Sequence, residues 1–272
     1  MGVLLALASA VLYGLVDFAG GILSRRTDFV AVTLLGQIGG LLLAVAAALL
    51  VPADAVHRAD LLWGALSGVG SGVAMHFLNR GLSRGAMSVV VPLSAVTSVA
   101  LSVLCGVLLL GDRPGAVAWA GIALTLPALW LVAGGGAART GVRDGLVASA
   151  GVAVQYLALG QTGAATGLWP VAAGRVAAVL VLLPGGVRRR ARWPSPALAA
   201  AALLIGAGAA LGLSLFQLAA HRELLAVAVV VASLYPALPV MLGLALLHER
   251  VSARQALGLT GAAVATVLPA LG

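Results

Sequence analysis

Long segments of apolar residues run through the chain, and short charged segments separate them. A helix that crosses the hydrocarbon core of a bilayer needs about 20 apolar residues in succession. The pattern therefore predicts ten transmembrane helices, and we expect an all-α, polytopic membrane protein with no room for a soluble domain. The predicted spans are 2–23, 29–51, 61–79, 86–110, 115–136, 145–163, 167–187, 195–220, 224–247 and 253–271.

Composition supports a membrane protein and excludes several classes of function. Charged residues make up 9% of the chain and the mean hydropathy is +1.13, whereas a soluble domain carries about 25% charged residues. Every basic residue is an arginine, so a Walker-type phosphate loop and a Schiff-base mechanism are excluded, because both need a lysine. The single cysteine and the histidines lack metal-ligand spacing. We expect no metal, no cofactor and no enzymatic activity.

The arginines are distributed unevenly among the predicted loops. Twelve of the sixteen follow odd-numbered helices, three follow even-numbered helices, and Arg175 lies inside a span. Because arginine-rich loops stay in the cytoplasm, we expect both termini outside. The net charge of +8 then reflects topology and contact with lipid headgroups. Membrane lipids are therefore expected partners, and nucleic acid is not.

Three short sequence matches indicate an internal repeat. Residues 8–10 recur at 148–150, the pair at 36–37 recurs at 174–175, and the acidic-arginine pair at 112–113 recurs at 249–250. We therefore predict two five-helix repeats, 1–137 and 138–272. An odd number of helices places the second repeat upside down in the membrane. Inverted repeats are typical of transporters that bind their substrate near the bilayer midplane.

Several segments resemble the EamA family of the drug/metabolite transporter superfamily. They are SVVVPLSAV and LLLGDRPGAVAWAGIAL in the first half and VVVASLYPALPVMLGLALLHERVSARQALGL in the second. The resemblance implies ten helices in two inverted repeats and transport of small metabolites, often amino-acid export. The family's acidic-arginine turn matches at Asp112 and Glu249. Its arginine in the second helix of a repeat matches at Arg175, but Gln37 departs from that pattern. We expect the protein in the bacterial inner (plasma) membrane.

Two ionisable side chains fall well inside predicted spans. Asp17 shares one stripe of the first helix with Tyr13, and an intramembrane carboxyl indicates a proton or substrate site. Arg175 carries a planar fork that suits a carboxylate. Two other interpretations stay open, namely that Asp17 bonds to a neighbouring helix and that Arg175 only neutralises Asp17.

Polar residues also recur at equivalent positions of the two halves. His76 and Asn79 share a face of the third helix, and their counterparts 138 positions later are Ser214 and Gln217. We predict that these four residues line a cavity, with interhelical hydrogen bonding as the alternative. Prolines interrupt the fourth and ninth spans at Pro92, Pro236 and Pro239, where they are hinge candidates.

Together these features predict a secondary transporter that moves a small polar, amino-acid-like solute by alternating access. Protons are a candidate coupling partner, and export is the candidate direction of transport. An uncoupled facilitator or channel built from the same helices is the alternative. The oligomeric state does not follow from the sequence. The candidate binding residues are Tyr13, Asp17, Gln37, His76, Asn79, Tyr156, Arg175, Ser214, Gln217 and Tyr235.

Overall fold

The structure, a computed structural model, is a bundle of α-helices. It describes residues 2–110, 113, 115–133, 141–188, 193–220 and 235–271. Within these residues ten α-helices follow one another, and no strand occurs. They are α1 (Gly2–Arg26), α2 (Phe29–Leu50), α3 (Arg58–Arg84), α4 (Met87–Cys105), α5 (Ala116–Ala133), α6 (Val142–Leu159), α7 (Trp169–Arg188), α8 (Pro196–Ala220), α9 (Ala237–Leu246) and α10 (Ala253–Leu271).

The helices have the composition of membrane spans. Six of them, α1 to α4, α7 and α8, are long and apolar enough to cross a bilayer. Large apolar side chains such as Leu62, Leu204 and Leu49 are exposed on the outside of the bundle, where lipid tails would cover them. Alanine and glycine dominate the interior, as expected where helices must approach closely without a hydrophobic driving force between them. The prediction of an all-α polytopic membrane protein is confirmed.

The helices of the two halves pack against each other in corresponding order. Helix α3 of the first half packs along α6 and α7 of the second half, and α8 of the second half packs along α1 and α2 of the first half. The remaining extensive contacts include α2 with α7 and α5 with α10. Each of these last two pairs joins a helix to its own counterpart, counted five helices along the chain.

Individual contacts recur at a spacing of 138 residues. A Cβ on Gly206 would overlap the carbonyl oxygen of Gly36, and a Cβ on Gly68 would overlap that of Gly174. Gly206 is 138 positions after Gly68, and Gly174 is 138 positions after Gly36. Only glycine allows the backbones to approach this closely. These four glycines therefore mark two equivalent helix crossings.

A second pair of contacts follows the same spacing. A Cβ on Gly208 would lie 2.8 Å from Cγ1 of Val16, and a Cβ on Gly70 would lie 3.1 Å from Cβ of Val154. Val154 and Gly208 are the counterparts of Val16 and Gly70 at 138 positions. The crossing of α1 with α8 thus brings together the counterparts of residues that meet where α6 crosses α3, although α6 lies closer, with the Gly151 carbonyl oxygen 2.6 Å from a Cβ on Gly70.

Polar contacts join the helices at the end of the bundle that carries most of the arginines. Glu249 accepts hydrogen bonds from the backbone N–H groups of Met87 (2.8 Å) and Ser88 (2.9 Å) at the start of α4. Its carboxylate also lies 3.4 Å from Nη2 of Arg25, which donates to the Gly85 carbonyl at 2.8 Å. A left-handed residue, His248 (φ 53°), directs the chain back toward α4. These contacts connect α1, α4 and the segment that follows α9.

At the opposite end, one carboxylate connects α3 to the segment before α7. Asp60 in the first turn of α3 accepts a hydrogen bond from Gly163 N–H at 3.1 Å and another from the Thr166 hydroxyl. The backbone N–H of Ala55 also donates to Ala165. This end is therefore held by contacts different from those at the arginine-rich end.

The predicted hinge residues occupy three positions. Pro92 lies inside α4 and is buried, Pro236 directly precedes α9, and Pro239 lies in its first turn and is buried. Pro92 leaves the Ser88 carbonyl without its helical donor. The predicted ninth span begins at 224, but its part before 235 lies outside the described residues, as does Asp112.

Candidate functional site

A cavity lies between α1, α2, α3, α7 and α8, on the side of the bundle centre nearer the arginine-rich end. Its volume for water-sized spheres is about 30 Å³, which is room for about two water molecules. Gly20, Thr33 and Asn79 line it near the ends of their helices, and Gln37 and Arg175 line it toward the centre. We call it the first cavity. Its remaining lining residues are Val16, Val32, Gly36, Met75, Ile205, Gly206 and Ala209.

A second cavity lies on the other side of Arg175, nearer the opposite end. Its volume for water-sized spheres is about 10 Å³, which is room for about one water molecule. Val171 lines it two residues after α7 begins, and Gln155 lines it four residues before α6 ends. Arg175 lines both cavities. The other lining residues of the second cavity are Ser67, Gly68, Ser71, Gly174 and Leu213.

The two cavities are counterparts of each other. Seven of the eight residues around the second cavity lie 138 positions from a residue around the first. Ser71 corresponds to Ala209, for example, and Leu213 corresponds to Met75. The eighth residue, Gln155, is the counterpart of Asp17. The spacing that relates the helix crossings therefore also relates the cavities.

A hydrogen bond between Arg175 and Gln37 separates the cavities. Nη1 of Arg175 donates to Oε1 of Gln37 at 2.8 Å, and the two residues are 138 positions apart. Both are buried, with exposed fractions of 4% for Arg175 and 3% for Gln37. Among the described residues this is the one hydrogen bond that Arg175 makes, and no carboxylate forms an ion pair with it. The guanidinium is thus a buried cation held by a neutral amide.

Asp17 lies among the tyrosines of the chain. All three tyrosines, Tyr13, Tyr156 and Tyr235, are within electrostatic range of its carboxyl. The ring centroids of Tyr13 and Tyr235 are 6.1 Å apart. The Tyr13 hydroxyl is buried and makes no hydrogen bond of normal geometry, although Tyr156 is its neighbour. The structure therefore brings four predicted residues from α1, α6 and the start of the α9 region into one cluster.

Asp17 itself is 6% exposed. It accepts no hydrogen bond and forms no ion pair within the part of the chain that the structure describes. Arg175 interacts electrostatically with Tyr13 and Tyr156, which also face Asp17. The carboxyl and the guanidinium therefore share tyrosine neighbours without direct contact. The carboxyl is thus a buried acid without a fixed partner, which suits a group that takes up and releases a proton.

The other predicted residues have different surroundings. Asn79 lines the first cavity and donates to Thr33 Oγ1 at 2.9 Å, which links α3 to α2. His76 lies against the rings of Phe29 and Phe77, both 5.3 Å away, and lines neither cavity.

Their counterparts on α8 are buried outside the two cavities. Ser214 donates to the Ala210 carbonyl within α8 at 2.9 Å. Gln217 reaches the Gly167 carbonyl at 3.5 Å, and its Oε1 is buried without a partner. Of the four residues of the predicted polar stripes, Asn79 is therefore the one that lines a described cavity.

Four polar lining residues were not predicted from the sequence, namely Thr33, Ser67, Ser71 and Gln155. Gln155 had a usable signal, since it stands 138 positions after Asp17. The three hydroxyl residues had none, because isolated hydroxyl residues are common in membrane helices, where they bond to the preceding turn. No cluster of three or more histidine, cysteine or acidic side chains that could hold a metal occurs within the described residues.

Comparison with known proteins relates these features to a family. The model of the EamA-like transporter family matches residues 1–134, which confirms the resemblance noted in the sequence. Among curated proteins, none matches the chain. A crystal structure with 21% sequence identity superimposes with a TM-score of 0.63 and covers 98% of this chain and 96% of its own. At that identity the likeness concerns the fold alone.

Proposed function

Because the model of the EamA-like transporter family matches residues 1–134, we propose that the chain is a secondary transporter of a small polar solute that works by alternating access. The family match and the long apolar helices support a multi-pass membrane transporter. The nature of the solute, the energy source and the mechanism are our proposal, as is its place in the bacterial inner membrane with the arginine-rich end in the cytoplasm.

One observation carries the proposal, the correspondence between the two cavities at 138 residues. We propose that residues 1–137 and 138–272 are inverted repeats. Exchange of the conformations of two such repeats then converts a state open to one face into a state open to the other. A first cavity toward the arginine-rich end and a second toward the other end fit the two states of such a cycle.

The polar groups in and around the cavities suit a small polar solute. Arg175 supplies a charged donor with a planar fork, and Gln37 and Asn79 supply amide groups. Tyr13 and Tyr156 line neither cavity but lie within electrostatic range of Arg175, and they supply hydroxyls. Asp17 supplies a carboxyl that can carry a proton through the cycle. We therefore include proton coupling in the proposal and assign it to Asp17. Gly36 and Gly206 keep the neighbouring backbones close and the site narrow.

Two matched cysteine variants test alternating access. The chain has one cysteine, Cys105, so Cys105→Ser provides a background for Ser71→Cys in the second cavity and Ala209→Cys in the first. We expect a membrane-impermeant maleimide to label position 209 from the arginine-rich side and position 71 from the opposite side. Transported solute should change the two rates in opposite directions. Labelling of both positions from one side would contradict the proposal.

Flux measurements separate a carrier from a facilitator. A solute identified by a metabolite-resistance screen in an overexpressing host is loaded into proteoliposomes, and counterflow is recorded with and without a pH gradient. Saturable counterflow shows a carrier, and additional uptake in the presence of a pH gradient supports coupling to protons. Flux that rises linearly with solute concentration and shows no counterflow would instead support an uncoupled facilitator built from the same helices.

A further inference from the structure

The pair of Arg175 and Gln37 has a special position in the bundle. The two residues are counterparts at 138 positions, and they are hydrogen-bonded to each other. In a two-fold arrangement, a residue can contact its own counterpart only on or beside the axis. The counterpart crossings of Gly36 with Gly206 and of Gly174 with Gly68 lie next to the pair. The Arg175–Gln37 bond therefore marks the internal two-fold axis of the molecule.

The charge at this position lacks a counter-ion. A guanidinium presents five N–H groups, and one of them is used, in the bond to Gln37 Oε1. No acidic side chain of the described residues forms an ion pair with Arg175, although 96% of the residue is buried. Burial of an unpaired charge is unfavourable. An anion that enters either cavity would supply the missing charge and acceptors.

The geometry limits the kind of anion. The counterpart of Arg175 is the neutral Gln37, so the axis carries one positive charge, and a dianion would leave one negative charge uncompensated in a low-dielectric site. The planar fork of arginine matches the two oxygens of a carboxylate. The flanking cavities have room for only a few water molecules in this conformation, which favours a small anion.

We propose that Arg175 is the binding site for the single carboxylate of a small solute, which replaces Gln37 Oε1 at the guanidinium. Because the site lies on the axis, the same guanidinium serves both cavities. Gln37 and Arg175 should then be interchangeable, since exchanging them leaves one guanidinium and one amide in the same place. This inference rests on the proposed transport function and specifies the solute that it would move.

The test compares acids with isosteres that lack the carboxylate. The purified protein is heated in the presence of acetate, L-alanine or L-leucine, and separately with acetamide, L-alaninol hydrochloride or L-leucinol hydrochloride. We expect at least one acid to raise the apparent Tm by about 3 °C or more at saturation, while its isostere does not. The hydrochlorides also supply chloride, so they control for simple halide binding.

Three variants test whether stabilisation by the acid depends on Arg175 and Gln37 at the axis. In Arg175→Gln the Kd for the acid should rise by roughly 10- to 100-fold, the loss expected for a charge-assisted contact. In Arg175→Lys the charge remains but the fork is lost, and we expect an intermediate Kd. The double variant Gln37→Arg/Arg175→Gln should regain a Kd within about threefold of the original, a margin well below one tenfold step. Its unliganded Tm reports whether the exchange is tolerated structurally.

Several results would overturn the inference. They are an absence of stabilisation by every acid, equal stabilisation by the amino alcohols, full binding by Arg175→Gln, and a folded double variant without binding. A double variant that fails to fold would also contradict it, since exchange across an axis should be structurally neutral. If the cysteines at 71 and 209 still alternate in accessibility while no acid binds, the carboxylate site is wrong and the transport proposal stands.

Discussion

Asp17 illustrates how a single residue acquires a role from its neighbours. Its carboxyl is buried, all three tyrosines of the chain lie within electrostatic range of it, and no cation of the described residues pairs with it. The interpretation in which Arg175 merely neutralises Asp17 through an ion pair is therefore not realised in this conformation. A carboxyl without a fixed partner is free to exchange a proton when water reaches it.

We expect Asp17→Asn to uncouple transport from the proton gradient. Asparagine keeps the size and hydrogen-bonding capacity of the neutral carboxyl but cannot release a proton. The counterflow rate of the variant should stay within about twofold of the original rate, a smaller change than the tenfold that 1.4 kcal/mol would give. Uptake driven by a pH gradient should fall to background. The matched control is Asp54→Asn in an exposed loop, which should change neither. Gradient-driven uptake by the Asp17 variant would remove the proton-carrier role.

Helices in this protein are held together by close backbone approach. Gly68 in α3 and Gly206 in α8 each lie against the backbone of a neighbouring helix, and a Cβ at either position would overlap a carbonyl oxygen. The interior therefore depends on small residues instead of large interlocking side chains. The outward positions of the same helices tolerate bulk, because they face lipid.

Alanine at these crossings should destabilise the bundle. Ala is favoured over Gly in a helix by about 1 kcal/mol, but forcing atoms into a packed contact costs about 1–3 kcal/mol. The overlap is with backbone, so we expect Gly68→Ala and Gly206→Ala to lower the apparent Tm by similar amounts. In Gly185→Ala, where the added Cβ meets nothing within 4 Å, the Tm should stay constant or rise. Unequal losses at 68 and 206 would argue against equivalent crossings.

Different polar contacts hold the helices together at the two ends of the molecule. Glu249 and Arg25 connect helices at the arginine-rich end, and Asp60 connects α3 to the segment 163–166 at the other. The first cavity lies on the side of Glu249 and the second lies on the side of Asp60. Loss of either carboxylate should therefore open one cavity and leave the other unchanged.

Labelling rates provide the measurement for these closures. Glu249→Ala removes the two hydrogen bonds from the backbone of α4, each of which contributes about 1.5–3 kcal/mol, and also the contact with Arg25. We therefore expect labelling of Ala209→Cys to accelerate by about tenfold or more. Asp60→Ala should accelerate labelling of Ser71→Cys in the same way. Each variant serves as the control for the other, since position 71 should not respond to Glu249→Ala. Equal acceleration at both positions would indicate general loosening of the bundle.

Much of the architecture could be predicted from the chain itself. Segment length and hydropathy set the number and type of helices, because a bilayer of fixed thickness demands about 20 apolar residues per span. The sequence predicted that Tyr13, Asp17 and Arg175 lie inside the bundle, because charged and polar side chains have a high free energy in lipid. The spacing of 138 residues was also visible in the pair at 37 and 175.

Only the tertiary structure decided which of these side chains meet. Sequence places His76 and Asn79 on one helix face, yet His76 packs against phenylalanine rings while Asn79 lines the first cavity. The bond between Arg175 and Gln37 likewise depends on how α2 crosses α7. A sequence records the faces of each helix, because the helical period relates residues within one element. It does not record the crossings, because these depend on long-range packing among all of the helices.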